Sequence, residues 1–374
     1  MKNKAKVVAY YLPQFHPIPE NDEWWGKGFT EWTNVAKAQP LYKSHYQPKI
    51  PADLGFYDLR LPQSRALQAE YAQKAGVTAF CYWHYWFGNG KKLLNLPFEE
   101  VVNSGKPDFP FCLAWANHSW YNKSWTSDKG NVSLTKSKLL VEQTYPGQQD
   151  IIDHFNYLLP AFKDKRYFKV HGKLLLVIYN PWSFNIFNQF KRIWNEMAKE
   201  NNLPEFYFVA HAYEKYSEAV KFVDKGYDAV NLSLHHAPFL NDLKSKRISG
   251  FKLLKSWIHN HLSIKPAIID YKDAILKMDC DLYKKDKVYP TIIPNWDHTP
   301  RSKNFGRVFQ NCEPSLFYDH VKMILQRLKN KEEEDQIIFL KSWNEWGEGN
   351  YMEPDLKYGT GYIDSLKQVL SDID

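Results

Sequence analysis

Ile337-Ile338-Phe339-Leu340-Lys341-Ser342-Trp343-Asn344-Glu345-Trp346-Gly347-Glu348-Gly349 opens as an unbroken apolar run and closes on two carboxylates, two indoles and two glycines. A run without polar alternation reads as a strand covered on both faces, as in a parallel sheet. Seven further runs share this character, at 7–11, 77–83, 111–116, 174–179, 206–210, 229–233 and 291–296, with the last strand taken as 337–343. Helical patterns lie between them at 62–75, 149–162, 184–200, 217–225 and 315–329, and one follows at 361–370. Alternating strands and helices predict a parallel sheet, and eight strands predict closure into a (β/α)8 TIM barrel of the α/β class. No linker, repeat or composition break divides the chain, so a single domain is expected over 1–374.

Loop lengths orient the barrel. Segments entering strands are short, as at 75–76, 201–205 and 226–227, whereas those leaving strands are long, at 12–61, 117–148, 234–286 and 297–314. In this fold the loops after strands build the functional face, and structureless loops of such length are usually functional.

Bulk composition removes several classes. With 49 basic and 42 acidic residues the net charge is +7, thinly spread and without a basic block, so no nucleic-acid partner is expected. No stretch approaches the ~20 apolar residues of a membrane span, and the apolar run at 7–12 is too short for a secretory signal. Cys81, Cys112, Cys280 and Cys312 show neither C-x-x-C nor metal-ligand spacing, which predicts reduced thiols and a cytoplasmic protein. Aromatic residues reach 16% of the chain, with 14 Trp, 24 Tyr and 23 Phe. A large core can use them, but flat amphipathic rings also suit the C–H faces of sugars, so an oligosaccharide or polysaccharide is the expected partner.

The closing residues of the quoted segment carry the sharpest chemistry. Cleaving a glycosidic bond needs one carboxylic acid to protonate the leaving oxygen and a second carboxylate as base or nucleophile. Glu345 and Glu348 are the predicted catalytic pair, and in one pocket they would drive their pKa values apart. Such a spacing alone is common on solvated loops; Trp343, Trp346, Gly347 and Gly349 after a barrel strand make the difference. Trp343 and Trp346 are expected as stacking surfaces and Asn344 as a hydrogen-bonding amide. The loop after the first strand adds Gln14, His16, Glu31 and Trp32 as candidate ligands for sugar hydroxyls, with individual roles left open. Other strand ends contribute Trp83 and Tyr85, Trp115 and Asn117, Tyr179, His211, and Trp296 with Asp297. The histidines are scattered without H-E-x-x-H spacing, so neither metal nor cofactor is expected. Asp279-Cys280-Asp281 matches the short D-x-D pattern of nucleotide-sugar enzymes, a pattern frequent by chance and here without a phosphate loop.

Together the stretches 10–17, 24–34, 80–86, 113–120 and 343–349, with Met352-Glu353-Pro354, resemble the WbsX-like proteins, relatives of glycoside hydrolase family 99. The resemblance spans nearly the whole chain and implies a (β/α)8 barrel in which Glu345 and Glu348 are catalytic. In the hydrolases one glutamate deprotonates the sugar's own 2-hydroxyl, which attacks the anomeric carbon to give a 1,2-anhydro intermediate; the other protonates the leaving oxygen and then activates water. By resemblance Glu345 is the base and Glu348 the acid/base, on substrates such as α-mannosides or α-L-rhamnosides. Gly347 stands where the hydrolases carry a bulkier residue, which implies space for a different sugar substituent. WbsX-like proteins accompany O-antigen and capsule genes and are commonly labelled glycosyltransferases. A retaining glycosidase or transglycosidase of bacterial surface polysaccharide is therefore the first expectation, with a glycosyltransferase of O-antigen, lipopolysaccharide or capsule biosynthesis as the alternative.

Overall fold

Strand β1 (Lys6–Tyr11) is flanked by β2 (Ala79–Trp86) on one side and β8 (Ile337–Leu340) on the other, parallel to both, with Tyr11 opposite Tyr82 and Ala9 opposite Leu340. From β2 the pairing continues through β3 (Phe111–Trp115), β4 (Lys173–Ile178), β5 (Phe206–Ala212), β6 (Ala229–Leu232) and β7 (Val288–Ile292) back to β8. Every pairing in that circuit is parallel, so the sheet closes and has no free edge. The computed structural model describes residues 5–122, 138–213, 220–239 and 265–372.

All eight expected strands are present, and several boundaries shift; β2 runs at Ala79–Trp86 where 77–83 was expected, and β5 continues to Ala212. β7 begins three residues earlier than the apolar run implied, because Pro290 lies inside the strand opposite Leu232. Trp296 and Asp297 consequently lie on the loop beyond the strand. β8 ends at Leu340, which places Lys341 to Trp343 on the descending loop. Helices occur at Pro62–Ala75, Gln148–Phe162, Phe187–Glu200, Pro314–Leu328 and Gly361–Asp372, close to the expected ranges. The helix expected at 217–225 survives as Lys221–Asp224, its first residues lying outside the described ones. The long loops are not structureless: Pro19–Trp25, Glu31–Lys37 and Tyr271–Met278 are helical, too short or too polar to stand out by periodicity. Leu96–Ser104, between β2 and β3, was also missed.

The strands are apolar because both faces are covered, and the outer layer is strongly aromatic; Trp194, for example, is wholly buried between Phe155, Phe162, Phe190 and Phe206. Inside the barrel one polar layer interrupts the packing. The Tyr10 hydroxyl donates to Asn231 Oδ1 at 2.8 Å, His211 Nδ1 lies 2.8 Å from the same oxygen, and Asn231 Nδ2 donates to Thr291 Oγ1 at 2.9 Å. Burial keeps His211 neutral, its pKa pushed down to about 3. These groups satisfy one another, as buried polar groups must. Tyr10 then stacks flat beneath Trp83, with ring centroids 4.7 Å apart. The barrel core thus fixes the floor of what lies above it. Cys81, Cys112, Cys280 and Cys312 are all free thiols.

Candidate active site

The chain leaving β8 is pinned before it reaches Glu345. Trp343 N–H donates to Tyr10 O at 2.7 Å. Asn344 grips the backbone of Leu12 from both sides, accepting from its N–H at 2.7 Å and donating to its carbonyl at 3.0 Å. Asn344 therefore works as a clamp between the first and last loops. Trp346 stacks on Tyr351 with centroids 3.7 Å apart and donates Nε1–H to Glu353 Oε2 at 2.6 Å. Trp343 and Trp346 are both fully buried, which corrects their expected role as stacking surfaces: their faces are spent on packing. The turn at Trp346–Glu348 closes with Gly349 in the left-handed region, where Gly349 N–H donates to Trp346 O at 2.8 Å.

Glu345 and Glu348 emerge into one cavity of about 480 Å³ at the C-terminal mouth of the barrel, inside the ~300–1,000 Å³ range of small-molecule sites. Gln14, Trp83, Tyr85 and Tyr179, all expected site residues, also line it. Tyr179 stands edge-on to Trp83 at 5.3 Å and lies on His211 at 5.4 Å, so these rings are held from below.

Other expected residues are near the cavity without lining it. Trp296 donates Nε1–H to Glu348 Oε2 at 3.4 Å from behind. Asn117 positions the Tyr179 loop, exchanging hydrogen bonds with the backbone of Asn180 at 2.7 and 3.1 Å. Asp297 accepts from Gln47 at 2.6 Å and from the Thr299 hydroxyl at 2.6 Å, and His45 Nε2 lies 2.8 Å away, so it ties loops together. Trp32 donates to Tyr57 O at 2.7 Å and Trp115 to Trp86 O at 2.9 Å; both are packing residues. His16 is buried and off the cavity wall, kept neutral by burial. His211 belongs to the polar layer below. For these the sequence marked the right loops but could not say which way a side chain turns.

Arg301, Lys341 and His298 are cavity residues that the sequence reading passed over. Arg301 Nη1 donates to Glu348 Oε1 at 2.5 Å and lies 3.4 Å from Glu345 Oε1, while Nη2 donates to Glu31 Oε1 at 2.9 Å. Lys341 Nζ lies 3.9 Å and His298 Nε2 3.7 Å from Glu348. Trp24, Trp25 and Trp120 supply the aromatic wall expected from composition, at positions not singled out. Their only signal was membership in the stretches 24–34 and 113–120.

This arrangement separates the two acids. Burial, reinforced by the charge of Glu348, pushes Glu345 up to about 7. Burial would also raise Glu348, but Arg301, Lys341 and His298 outweigh it and hold that carboxyl well below the usual range. The pair therefore carries one proton across a wide span of pH, resting on Glu345 in the free site. The space expected at Gly347 for a sugar substituent is filled instead: a Cβ there would lie 1.8 Å from Glu31 Oε2. Among the described residues no group of His, Cys, Asp and Glu is arranged to hold a metal ion.

The D-x-D pattern has a structural explanation. Arg327 pairs with both acids, donating Nε–H to Asp279 at 2.9 Å and Nη1–H to Asp281 at 3.1 Å, and neither acid lines the cavity. Asp279→Ala is expected to leave sugar turnover within about twofold of wild type; a loss of tenfold or more would tie that turn to the chemistry. The cost should appear in stability, at ~1 kcal/mol or less for a partly exposed pair.

A closed parallel barrel with a carboxyl pair and an indole-lined cavity at its C-terminal mouth places this protein in the (β/α)8 class. Within that class the chain belongs to the WbsX family: the family model described as "Glycosyltransferase WbsX" matches residues 7–366. Two proteins known as "Uncharacterized protein WxcX", from two strains of Xanthomonas campestris pv. campestris, are 33% identical over 368 residues. The match covers 98% of this chain and 50% of theirs, so the chain spans about half the length of the curated relatives it matches. Among solved structures, a GH99 endo-alpha-mannosidase from Bacteroides thetaiotaomicron superposes with a TM-score of 0.57 at 14% identity, over 98% of this chain and 96% of that one. A structure described as "Glycoside hydrolase-like protein" gives a TM-score of 0.58 at 16% identity, over 99% and 94%. At these identities the likeness is one of fold. No helix among the described residues is long and apolar enough to cross a membrane.

Proposed function

We propose that this chain is a glycosidase-type enzyme, a retaining hydrolase or transglycosidase, acting on α-mannoside- or α-rhamnoside-like bonds of a bacterial surface polysaccharide in the cytoplasm. The observation that carries the reading is that Glu345 and Glu348 open into one cavity at the barrel mouth, close enough to Arg301 to share its charge. In the first step Glu345 takes the proton of the sugar's 2-hydroxyl, and O2 bonds to the anomeric carbon as the bond to the leaving oxygen breaks. Glu348 gives its proton to that oxygen. In the second step Glu348 takes a proton from water or an acceptor hydroxyl, whose oxygen bonds to the anomeric carbon as the bond from that carbon to O2 breaks, and O2 recovers its proton from Glu345.

The productive form has its proton on Glu348, whereas the free site keeps it on Glu345. Both are states of the same singly protonated pair, and kinetics reports the pair and not the individual acids. Substrate moves the proton: a hydroxyl donating to Glu345 stabilises that carboxylate, and a leaving oxygen placed to accept from Glu348 favours the protonated form of the other. The profile of kcat/KM against pH should therefore fall as pH rises through about 7, where the pair loses its last proton. An activity still climbing between pH 7 and 9 would contradict a single-proton pair.

Digestion of a panel of bacterial polysaccharides, with proton NMR of the first-formed anomer, tests the whole reading. A released sugar with retained configuration is expected; an inverted anomer would exclude the two-step route. The family description favours a second reading, a glycosyltransferase of O-antigen, lipopolysaccharide or capsule synthesis. That reading requires saturable binding of a nucleotide sugar, and it is the one to adopt if transfer proceeds only from such a donor.

A further inference from the structure

Gly347 lies between the two site acids, directly before Glu348 and separated from Glu345 by Trp346. Its φ is not in the left-handed region, so backbone conformation does not explain the glycine. Space does: the position of its absent Cβ is occupied by the carboxylate of Glu31, with Oε2 only 1.8 Å away and Arg301 Nε at 3.1 Å. Glu31 opens a short helix, Glu31–Lys37, whose start is fixed by Thr30 accepting from Trp32 N–H and by the bond from Glu31 N–H to Gln14 O at 3.2 Å. The side chain is wholly buried. Its two oxygens take the Nε and Nη2 edge of Arg301, at 3.4 and 2.9 Å.

A guanidinium is planar, so fixing one edge fixes the direction of the other. With Nε and Nη2 held by Glu31, Nη1 can point only at the site pair, where it meets Glu348 and Glu345. We propose that Glu31 is a positioning residue: seated in the space that Gly347 leaves empty, it anchors Arg301 so that the guanidinium forms part of the cavity wall against both site glutamates. The inference rests on the reading of Glu345 and Glu348 as the working pair.

The groups facing the pair are Arg301 and Lys341 as cations, His298 and His236 as imidazoles, Tyr85 and Tyr179 as phenols, and Glu31 as the third carboxyl. Neutralising Glu31 leaves the charge of Arg301 to two carboxyls instead of three and removes a like charge from beside Glu345. Both changes favour the ionised form of Glu345.

Carboxyl carbon NMR of the full chain labelled at glutamate, titrated from pH 5 to 9, tests this. The Glu345 signal is identified by its loss in Glu345→Gln. In Glu31→Gln the Glu345 midpoint is expected to drop by about one pH unit, because the amide keeps the packing and loses the charge. A second measurement reads the space itself. Gly347→Ala should lower Tm by several degrees when Glu31 is present, and by much less in a Glu31→Ala background, where the methyl has room. An unmoved Glu345 midpoint in Glu31→Gln, or an equal Tm loss from Gly347→Ala in both backgrounds, would overturn the proposal. Neither readout involves turnover, so a wild type that cleaves no glycoside would sink the proposed function while leaving this result to be read by itself.

Discussion

Glu348→Gln should reduce cleavage of natural glycosides by about a thousandfold or more while sparing aryl glycosides whose leaving group departs without a proton. The amide is nearly isosteric, so the cavity keeps its shape, and its one oxygen can still accept from Arg301 Nη1. What is lost is the proton for the leaving oxygen, which an activated phenolate does not need. Glu345→Gln should behave differently. Taking the proton from the 2-hydroxyl is required whatever the leaving group, so both substrate classes should fall together. Initial rates for one natural and one activated substrate with each variant decide the matter. Equal losses in Glu348→Gln would deny its acid role, and sparing of activated substrates by Glu345→Gln instead would exchange the two assignments.

Arg301→Met should be the most destabilising change near the cavity, at about 3–5 kcal/mol near neutral pH, the cost of removing one partner from buried charges. Arg301 serves three carboxyls, those of Glu31, Glu345 and Glu348, whose side chains are 0%, 11% and 15% exposed. Methionine matches the length of the stem but leaves these acids facing one another. They can relieve the repulsion by taking up protons, so the loss should be smaller at pH 5.5 than at pH 8. The sign follows from the direction of the titrations: without the guanidinium the folded-state pKa values of these acids rise, and stability then declines as pH climbs through them. Urea unfolding at the two pH values checks both size and slope. A loss below about 1 kcal/mol, or one that does not depend on pH, would mean that Arg301 does not balance the carboxyl cluster.

Much of the fold was legible because both-sided burial leaves a plain mark: residues 337–340 and 174–178 are apolar without alternation, since parallel barrel strands have no solvent face. Glu345 and Glu348 were legible because two acids beside glycines follow one of those strands. The rest was hidden for reasons of geometry. Trp343, Trp346 and Asn344 share the segment with the acids, yet their side chains turn inward to pack, stack and clamp, and residue type does not encode that rotation. Arg301 has no local motif; its meaning comes from Glu31, which is 270 positions away in sequence and 2.9 Å away in space. Asp279 and Asp281 form a pattern associated with nucleotide sugars, but the partner that explains them is Arg327 on a neighbouring helix. Pairings of this range become visible only when the chain is folded.

The proposed function requires Glu345 and Glu348 to flank one sugar ring in the cavity above Trp83. A crystal structure of the Glu345→Gln variant soaked with an oligosaccharide that the wild type cleaves tests it most directly. A ring is expected over Trp83, its 2-hydroxyl within hydrogen-bonding distance of residue 345 and the glycosidic oxygen within the same reach of Glu348. A sugar bound with its scissile oxygen remote from both side chains would contradict it.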